Sequence, residues 1–305
     1  MGSAKHKKKT ARILALIGLC LAMLMAGTAV ADLIIAGQVH YRPDYEMEDI
    51  RSGIQEMRED LNGEYRLTEE DYKELFYQTG LGKPAVNDLI ARYGGSEELL
   101  TTVLAQYQAN FFGSIDYSRN KFGIITYEEL LVNEKGETKA GFDLAPLKNG
   151  DIFMSPSTMS LGWRHGHNAI VVDAAGRRTL EAVLIGYDSM FQKADKWRKY
   201  PAFMILRLRS DAPGAGTIPD MAAEFAEKRL EGMPYGLLTG MIDKNPDPDK
   251  ISHTQCAHIV WYPYMQLGFD LDSDGGWLVT PHDIAESSEL EVVQIYGMDP
   301  HQFWP

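Results

Sequence analysis

The sequence predicts an α+β chain that is helical first and mixed strand and helix afterwards, and three observations predict it. Apolar residues recur at spacings of three and four between Tyr45 and Phe111, the stripe of amphipathic helices. After the turn signal Lys148-Asn149-Gly150 the pattern becomes extended, with short apolar runs separated by Gly, Ser and Asp. The chain has 305 residues and is 45% hydrophobic, enough for a substantial core in one large or two ordinary domains.

At the N-terminus, Lys5, Lys7, Lys8, Lys9 and Arg12 precede an apolar run from Ile13 to Val30, and Ala29-Val30-Ala31 stands before Asp32. This is the layout of a secretory signal peptide over residues 1–31 with an A-x-A cleavage site. An uncleaved anchor is the alternative, because Leu33 to Ala36 extend the apolar run. No later segment is apolar for long enough to span a bilayer, so residues from 32 onward are expected outside the cytoplasm, secreted or in the cell envelope. Membrane contact is then expected only through a retained N-terminal segment.

Charge and cysteine content narrow the function classes. The whole chain has a net charge of −13, and loss of residues 1–31 leaves 25 basic against 43 acidic residues, or −18. Such a domain is a poor partner for nucleic acid or an anionic membrane surface. The same cut removes Cys20 and leaves Cys256 with no internal partner. An odd cysteine in an exported protein marks either a free reactive thiol or an intermolecular bridge, and the reactive thiol is favoured here.

Residues 32–145 are expected to form a helical subdomain. Met47, Ile50, Ile54, Met57 and Leu61 mark one helix, closed by Asn62-Gly63. Thr68 with Asp71 is a capping-box-like start for a second, which buries Tyr72, Leu75 and Phe76 before Gly80. Pro84 opens a third with Val86, Leu89, Ile90 and Tyr93 inward, and Ser96 begins a longer one carrying Leu99, Leu100, Val103, Leu104, Tyr107 and Phe111. Gln78 to Val86 has the form of a helix-turn-helix reader, but Asn87 and Asp88 follow and Lys83 is the only cation before Arg92, a poor DNA surface.

Residues 146–305 carry the chemistry. Asp151 to Met154 is a short strand, Asn168 to Val172 a second ending at Asp173, Arg178 to Ile185 a third with Glu181 in its middle, and Pro201 to Leu208 a fourth. A carboxylate in an apolar strand lies on a solvent face or has a partner. Antiparallel pairing across the Ala175-Gly176 turn would bring Glu181 near His167. A helix from Pro219 to Glu231 follows, then Tyr235 in a Pro-Tyr-Gly turn, then His253 to Trp261 around Cys256. Ile259 and Val260 would bury one face of a helix with Cys256 in its first turn, and Pro263 predicts a kink or an early end. A thiol becomes a nucleophile where an imidazole or a helix N-terminus holds it as thiolate; a small buried Cys at a helix start is the alternative. A closing strand is expected from Leu290 to Ile295.

The second half resembles the circularly permuted papain-like amidases, relatives of NlpC-type cell-wall peptidases in which His-bearing strands precede the Cys-bearing helix. The residues that carry the resemblance are Gly-Asp-Ile (150–152), Gly-His-Asn-Ala-Ile-Val (166–171), Leu-Glu-Ala (180–182), Pro-Tyr-Gly (234–236), Gln-Cys-Ala-His-Ile-Val-Trp (255–261) and Thr-Pro-His-Asp-Ile (280–284). It implies a permuted papain-like (NlpC-type) domain, a small antiparallel sheet packed on helices. It also implies Cys256 as nucleophile, His167 as general base and then acid, Glu181 as the residue orienting the imidazole, and Tyr235 at the pocket. No metal or other cofactor is expected. Where members of the family commonly follow the Cys with Ser-Glu, this chain has Ala257-His258. The helical region lies outside the resemblance.

The function so implied is an exported cysteine hydrolase or amidase working through an acyl-enzyme on a peptide or acyl-amide of the cell envelope, such as peptidoglycan peptide. Lipid amides or esters, and acyl transfer, remain open. A rival is a zinc hydrolase using His165, His167, His253, Cys256 and His258. Asp270, Asp272, Asp274 and Gly275 begin like a calcium loop, but Pro281 stands where the closing Glu belongs, so an acidic turn is expected. A non-catalytic binding protein on the same fold is the third class.

Overall fold

The computed structural model describes residues 13–28, 30, 40–51, 67–93, 97–123, 125–160, 162–239 and 247–304. Residues 13–28 are helical, with exposed side chains through Gly27, and no helix among the described residues is long and apolar enough to cross a membrane. The expected cleavage-site alanines 29 and 31, and most of the helix expected from Met47 to Leu61, lie outside the described residues.

The helical region begins with α1 (Glu69–Thr79), α2 (Lys83–Tyr93) and α3 (Glu97–Phe111). The Thr68 hydroxyl accepts from the Asp71 N–H while Asp71 Oδ2 accepts from the Thr68 N–H at 2.6 Å, so two end groups of α1 are satisfied reciprocally. Gly80 closes the helix at φ 70°, a left-handed conformation that disfavours any other residue.

Nine strands follow among the described residues: β1 (Tyr117–Lys121), β2 (Thr126–Leu131), β3 (Ile152–Ser155), β4 (Thr158–Ser160), β5 (His167–Asp173), β6 (Arg178–Glu181), β7 (Met190–Lys193), β8 (Phe203–Leu208) and β9 (Leu290–Tyr296). They form two antiparallel sheets, β1-β2-β4 and β7-β6-β5-β3-β8-β9. The chain is therefore α+β. The hairpin of β1 and β2 departs from the helical expectation for residues 32–145. Its strands carry Tyr, Arg, Glu and Lys with exposure alternating along β1, so helical spacing carries no information there.

Three helices, α4 (Ile218–Leu230), α5 (His258–Gln266) and the short α6 (Pro281–Ala285), complete the fold. Alternate residues of the six-stranded sheet face opposite ways, and both faces are covered. On one face Ile152, Ile170, Leu180 and Met204 pack with Ala222, Ala226 and Leu230 of α4 and Ile259 and Val260 of α5. On the other, Phe153, Ala169, Val171 and Ile205 pack with Leu75, Val86, Leu89, Leu100 and Leu104 of α1 to α3. The turn between α1 and α2 docks on the sheet edge: the Ile295 N–H donates to Gly80 O at 2.7 Å and the Gly82 N–H to Val293 O at 2.9 Å. The stretch that looks like a DNA reader's turn is thus used as an edge contact, with Leu81 wholly buried.

Two expectations are corrected. The strand expected to run to Ile185 stops at Glu181, because its partner β7 pairs only from Arg178↔Lys193 to Glu181↔Met190 and the chain must reverse between them. Val183 to Tyr187 are therefore loop. Of the kink or early end expected at Pro263, the early end does not occur: helix α5 runs through Pro263 to Gln266. Proline removes one bond, to the Ile259 carbonyl, whereas Tyr262 and Tyr264 on either side are wholly buried and the Tyr264 hydroxyl donates to Gly150 O at 2.8 Å.

Candidate active site

The site is built where the start of β5 meets the end of β6. Gly166 precedes His167 at φ 74°, and a Cβ there would sit 3.1 Å from Ser155 O and 3.2 Å from Pro281 Cβ. Only glycine gives that turn and that clearance. Because Ile170 pairs with Leu180, Glu181 falls on the same face as Ala169 and diagonal to His167, within reach of a long side chain. His167 Nε2 lies 3.0 Å from Glu181 Oε2.

Glu181 is wholly buried, and four donors surround it. Lys196 Nζ donates to Oε2 at 2.6 Å, the Trp197 indole N–H and the Thr179 hydroxyl each donate to Oε1 at 2.9 Å, and His167 completes the set. Burial alone would raise its pKa, but Lys196 and His167 outweigh it and hold the carboxyl down at about 2. The His167 ring lies flat on the Trp197 indole, centroids 5.2 Å apart and 4° between planes. An aromatic face beside an imidazole favours its cationic form.

With Nε2 turned to Glu181, His167 Nδ1 is left free to serve Cys256, which lies near enough to raise the imidazole's pKa, while the thiol itself donates to Gln255 Oε1 at 3.5 Å. Burial pushes the imidazole pKa down, yet Cys256 and Glu181 together lift it to about 9. Cys256 is 8% exposed. The Ile259 N–H donates to Gln255 O at 2.9 Å, which closes the first turn around Cys256 although regular helix begins at His258. The segment is held by Tyr235↔Thr254 pairing, with the Gly236 N–H on Thr254 O at 2.8 Å, and that pairing brings Tyr235 into the neighbourhood of Cys256. Burial first, and then Cys256, push the Tyr235 hydroxyl well above the usual tyrosine range, so it stays a donor. The Ala257 N–H at the start of this segment donates to Gln255 Oε1 at 2.8 Å.

No family model, curated protein or solved structure matches the chain. The site therefore rests on its own geometry. Cys256, His167, Glu181 and Tyr235 are brought together. Thr179, Lys196 and Trp197 were not singled out in the sequence. Thr179 has the same strand parity as Glu181, a signal that was available, whereas Lys196 and Trp197 arrive on the turn of 3₁₀ helix after β7.

The histidines and Cys256 are not gathered as a ligand set. His165 Nε2 is 3.0 Å from Ser160 Oγ, His253 Nδ1 2.9 Å from Ser252 Oγ, and His258 Nδ1 3.1 Å from Thr254 Oγ1. Burial pushes His258 down to about 4, so at neutral pH it is an uncharged ring stacked on Tyr262. Among the described residues, the carboxylates that approach within 4.8 Å as a trio are Asp272, Asp274 and Asp283. Asp283 is already engaged as the cap partner of Thr280, and Asp270 accepts from the Trp261 indole at 2.7 Å, as in an acidic turn. Asn168, next to His167 on the opposite face, is wholly buried, and neither side-chain polar atom has a hydrogen-bond partner among the described residues.

Proposed function

We propose that this protein is an exported cysteine hydrolase of the amidase type, built on a permuted papain-like domain, acting through an acyl-enzyme on amides of the cell envelope such as peptidoglycan peptides. The observation that carries this reading is the buried pair of His167 Nε2 and Glu181 Oε2, 3.0 Å apart and close to Cys256, in which Cys256 and Glu181 lift the imidazole to about 9 against the effect of burial. An imidazole held in this way next to a thiol can take up its proton and make the sulfur a nucleophile. Thiolate attack on an amide carbonyl forms the C–S bond, the Tyr235 hydroxyl donates to the developing oxyanion, and His167 protonates the departing nitrogen. Neutral His167 then takes a proton from water as the water oxygen bonds to the acyl carbon, and the thioester C–S bond breaks to release the acid and return the thiolate beside the imidazolium. Glu181, kept ionised by Lys196, Trp197 and Thr179, fixes the ring's orientation and stabilises the imidazolium in both steps.

The test is the rate of Cys256 alkylation by iodoacetamide at mildly acidic pH, with and without a chelator. Wild type is expected to react roughly tenfold or more faster than His167→Ala, with no effect of the chelator. Equal rates would remove the Cys-His pair, and protection that only the chelator relieves would favour a metal site. Cys256→Ala is expected to abolish turnover.

A further inference from the structure

We propose that Lys196 is a positioning residue of the hydrolase, set on Glu181 so as to limit how firmly the carboxylate holds the proton of His167. This deepens the hydrolase reading and rests on it. The two oxygens of Glu181 are used differently. Oε1 accepts from neutral donors, the Trp197 indole and the Thr179 hydroxyl, each at 2.9 Å. Oε2 carries both basic groups, His167 Nε2 at 3.0 Å and Lys196 Nζ at 2.6 Å. When His167 is protonated, one oxygen therefore faces two cations.

That sharing acts in two directions. Toward Glu181, Lys196 supplies the charge that keeps a wholly buried carboxylate ionised. Toward His167 it is a like charge across one oxygen atom, which disfavours the imidazolium, and it takes the shorter contact to the oxygen the ring also uses. A buried carboxylate facing the imidazole alone would hold the proton too tightly for delivery to a leaving nitrogen, because a general acid works best with its pKa near the working pH. Lys196 weakens that hold and leaves the orienting contact in place.

The lysine is fixed by its turn. It belongs to the 3₁₀ helix Ala194–Lys199, in which Ala194 and Trp197 are wholly buried and the Ala194 N–H donates to Arg177 O at 2.8 Å. Trp197, the next residue, stacks on the His167 ring, so a single turn places both the ring and the second cation. Lys196 is 29% exposed, on a cleft of about 470 Å³ that His167 and, from the β1-β2 hairpin, Glu128 and Leu130 also line. Besides Glu181 and Lys196, the titratable groups that face His167 are Cys256 before α5, His165 before β5 and Glu128 of β2. Burial pushes the His165 imidazole down, and the Glu128 carboxylate lies 3.4 Å from the Tyr200 hydroxyl. Tyr235 faces Cys256, and Tyr200 faces both Glu128 and Glu181.

The test is the pH titration of His167, followed by NMR in the full chain with labelled histidines and assigned by the signal lost in His167→Gln. Lys196→Gln keeps a hydrogen-bond donor for Oε2 and removes the charge; it is expected to raise the His167 midpoint by roughly one pH unit. Lys196→Met removes donor and charge together and is expected to move the midpoint the same way, so either variant reads the effect if the other fails to fold. Lys196→Arg keeps the charge and is expected to titrate as wild type does. Alkylation of Cys256 by iodoacetamide at mildly acidic pH is measured alongside. An unchanged midpoint on loss of the charge, or a lowered one as for a lysine that only props the carboxylate, overturns the role of Lys196. So does a shift in Lys196→Arg as large as that in Lys196→Gln. In each case the hydrolase reading stands as long as wild type is alkylated faster than His167→Ala. Equal alkylation of those two overturns the hydrolase reading and the role of Lys196 with it.

Discussion

His167 keeps its proton against the pull of burial, and that has a measurable consequence. Its value in the folded protein, about 9, lies above the 6.5 of a free imidazole. The imidazolium thus contributes stability that is complete below 6.5 and is lost as pH rises through about 9. Cleavage of an anilide, whose nitrogen must be protonated to leave, is expected to fall with an apparent midpoint near 9, while cleavage of a p-nitrophenyl ester shows no such limb. A flat profile for the anilide would mean that another group supplies the proton. Asn168 offers a second test one residue away. A buried amide without partners costs roughly 1–3 kcal/mol, so Asn168→Leu is expected to stabilise the fold by about 1–2 kcal/mol in urea unfolding. A lower midpoint would show that the amide is satisfied in solution.

At the scale of elements, the segment that delivers His167 is tied down by Glu129 of β2. This wholly buried carboxylate accepts from Arg164 through both oxygens, at 2.6 and 2.9 Å, from Arg119 at 2.9 Å and pairs with His40 at 2.9 Å. Burial opposes its ionisation, but these partners hold it far below the usual carboxylate range. Arg164 is itself only 2% exposed, so Glu129→Gln takes a bidentate carboxylate away from a buried guanidinium. A loss of about 3–5 kcal/mol is expected in thermal or urea unfolding, together with slower alkylation of Cys256 as the loop before His167 loosens. Loss of stability with an unchanged alkylation rate would separate the hairpin from the site. The hairpin is also the element whose existence the helical reading of residues 32–145 overlooked. Its residues are too polar for hydrophobic spacing to register, and its third strand, β4, comes from beyond that segment.

For the whole molecule, the sheet joins what the sequence divides near residue 145. Phe153, Ala169, Val171, Phe203 and Ile205 are wholly buried on the face that α1 to α3 cover. Residues 146–305 expressed alone are therefore expected to expose that face and to show loose packing by dye binding and near-ultraviolet dichroism. A fragment that unfolds cooperatively with little dye binding would make the boundary a real one. What the sequence determined by itself was local: the cap at Thr68, the short apolar runs of β3, β5 and β8, the helix after Cys256, and the pairing that sets Glu181 beside His167 across a short turn. Each depends on spacing within a few residues or on one adjacent hairpin. The tertiary structure alone decided which side chains saturate Glu181, that Lys196 and Trp197 reach it from a turn of 3₁₀ helix, that Pro263 is tolerated inside α5, and that a polar hairpin walls the cleft beside His167. Those outcomes depend on contacts between segments far apart in the chain, where burial and charge pairing outweigh the local preferences that sequence periodicity records.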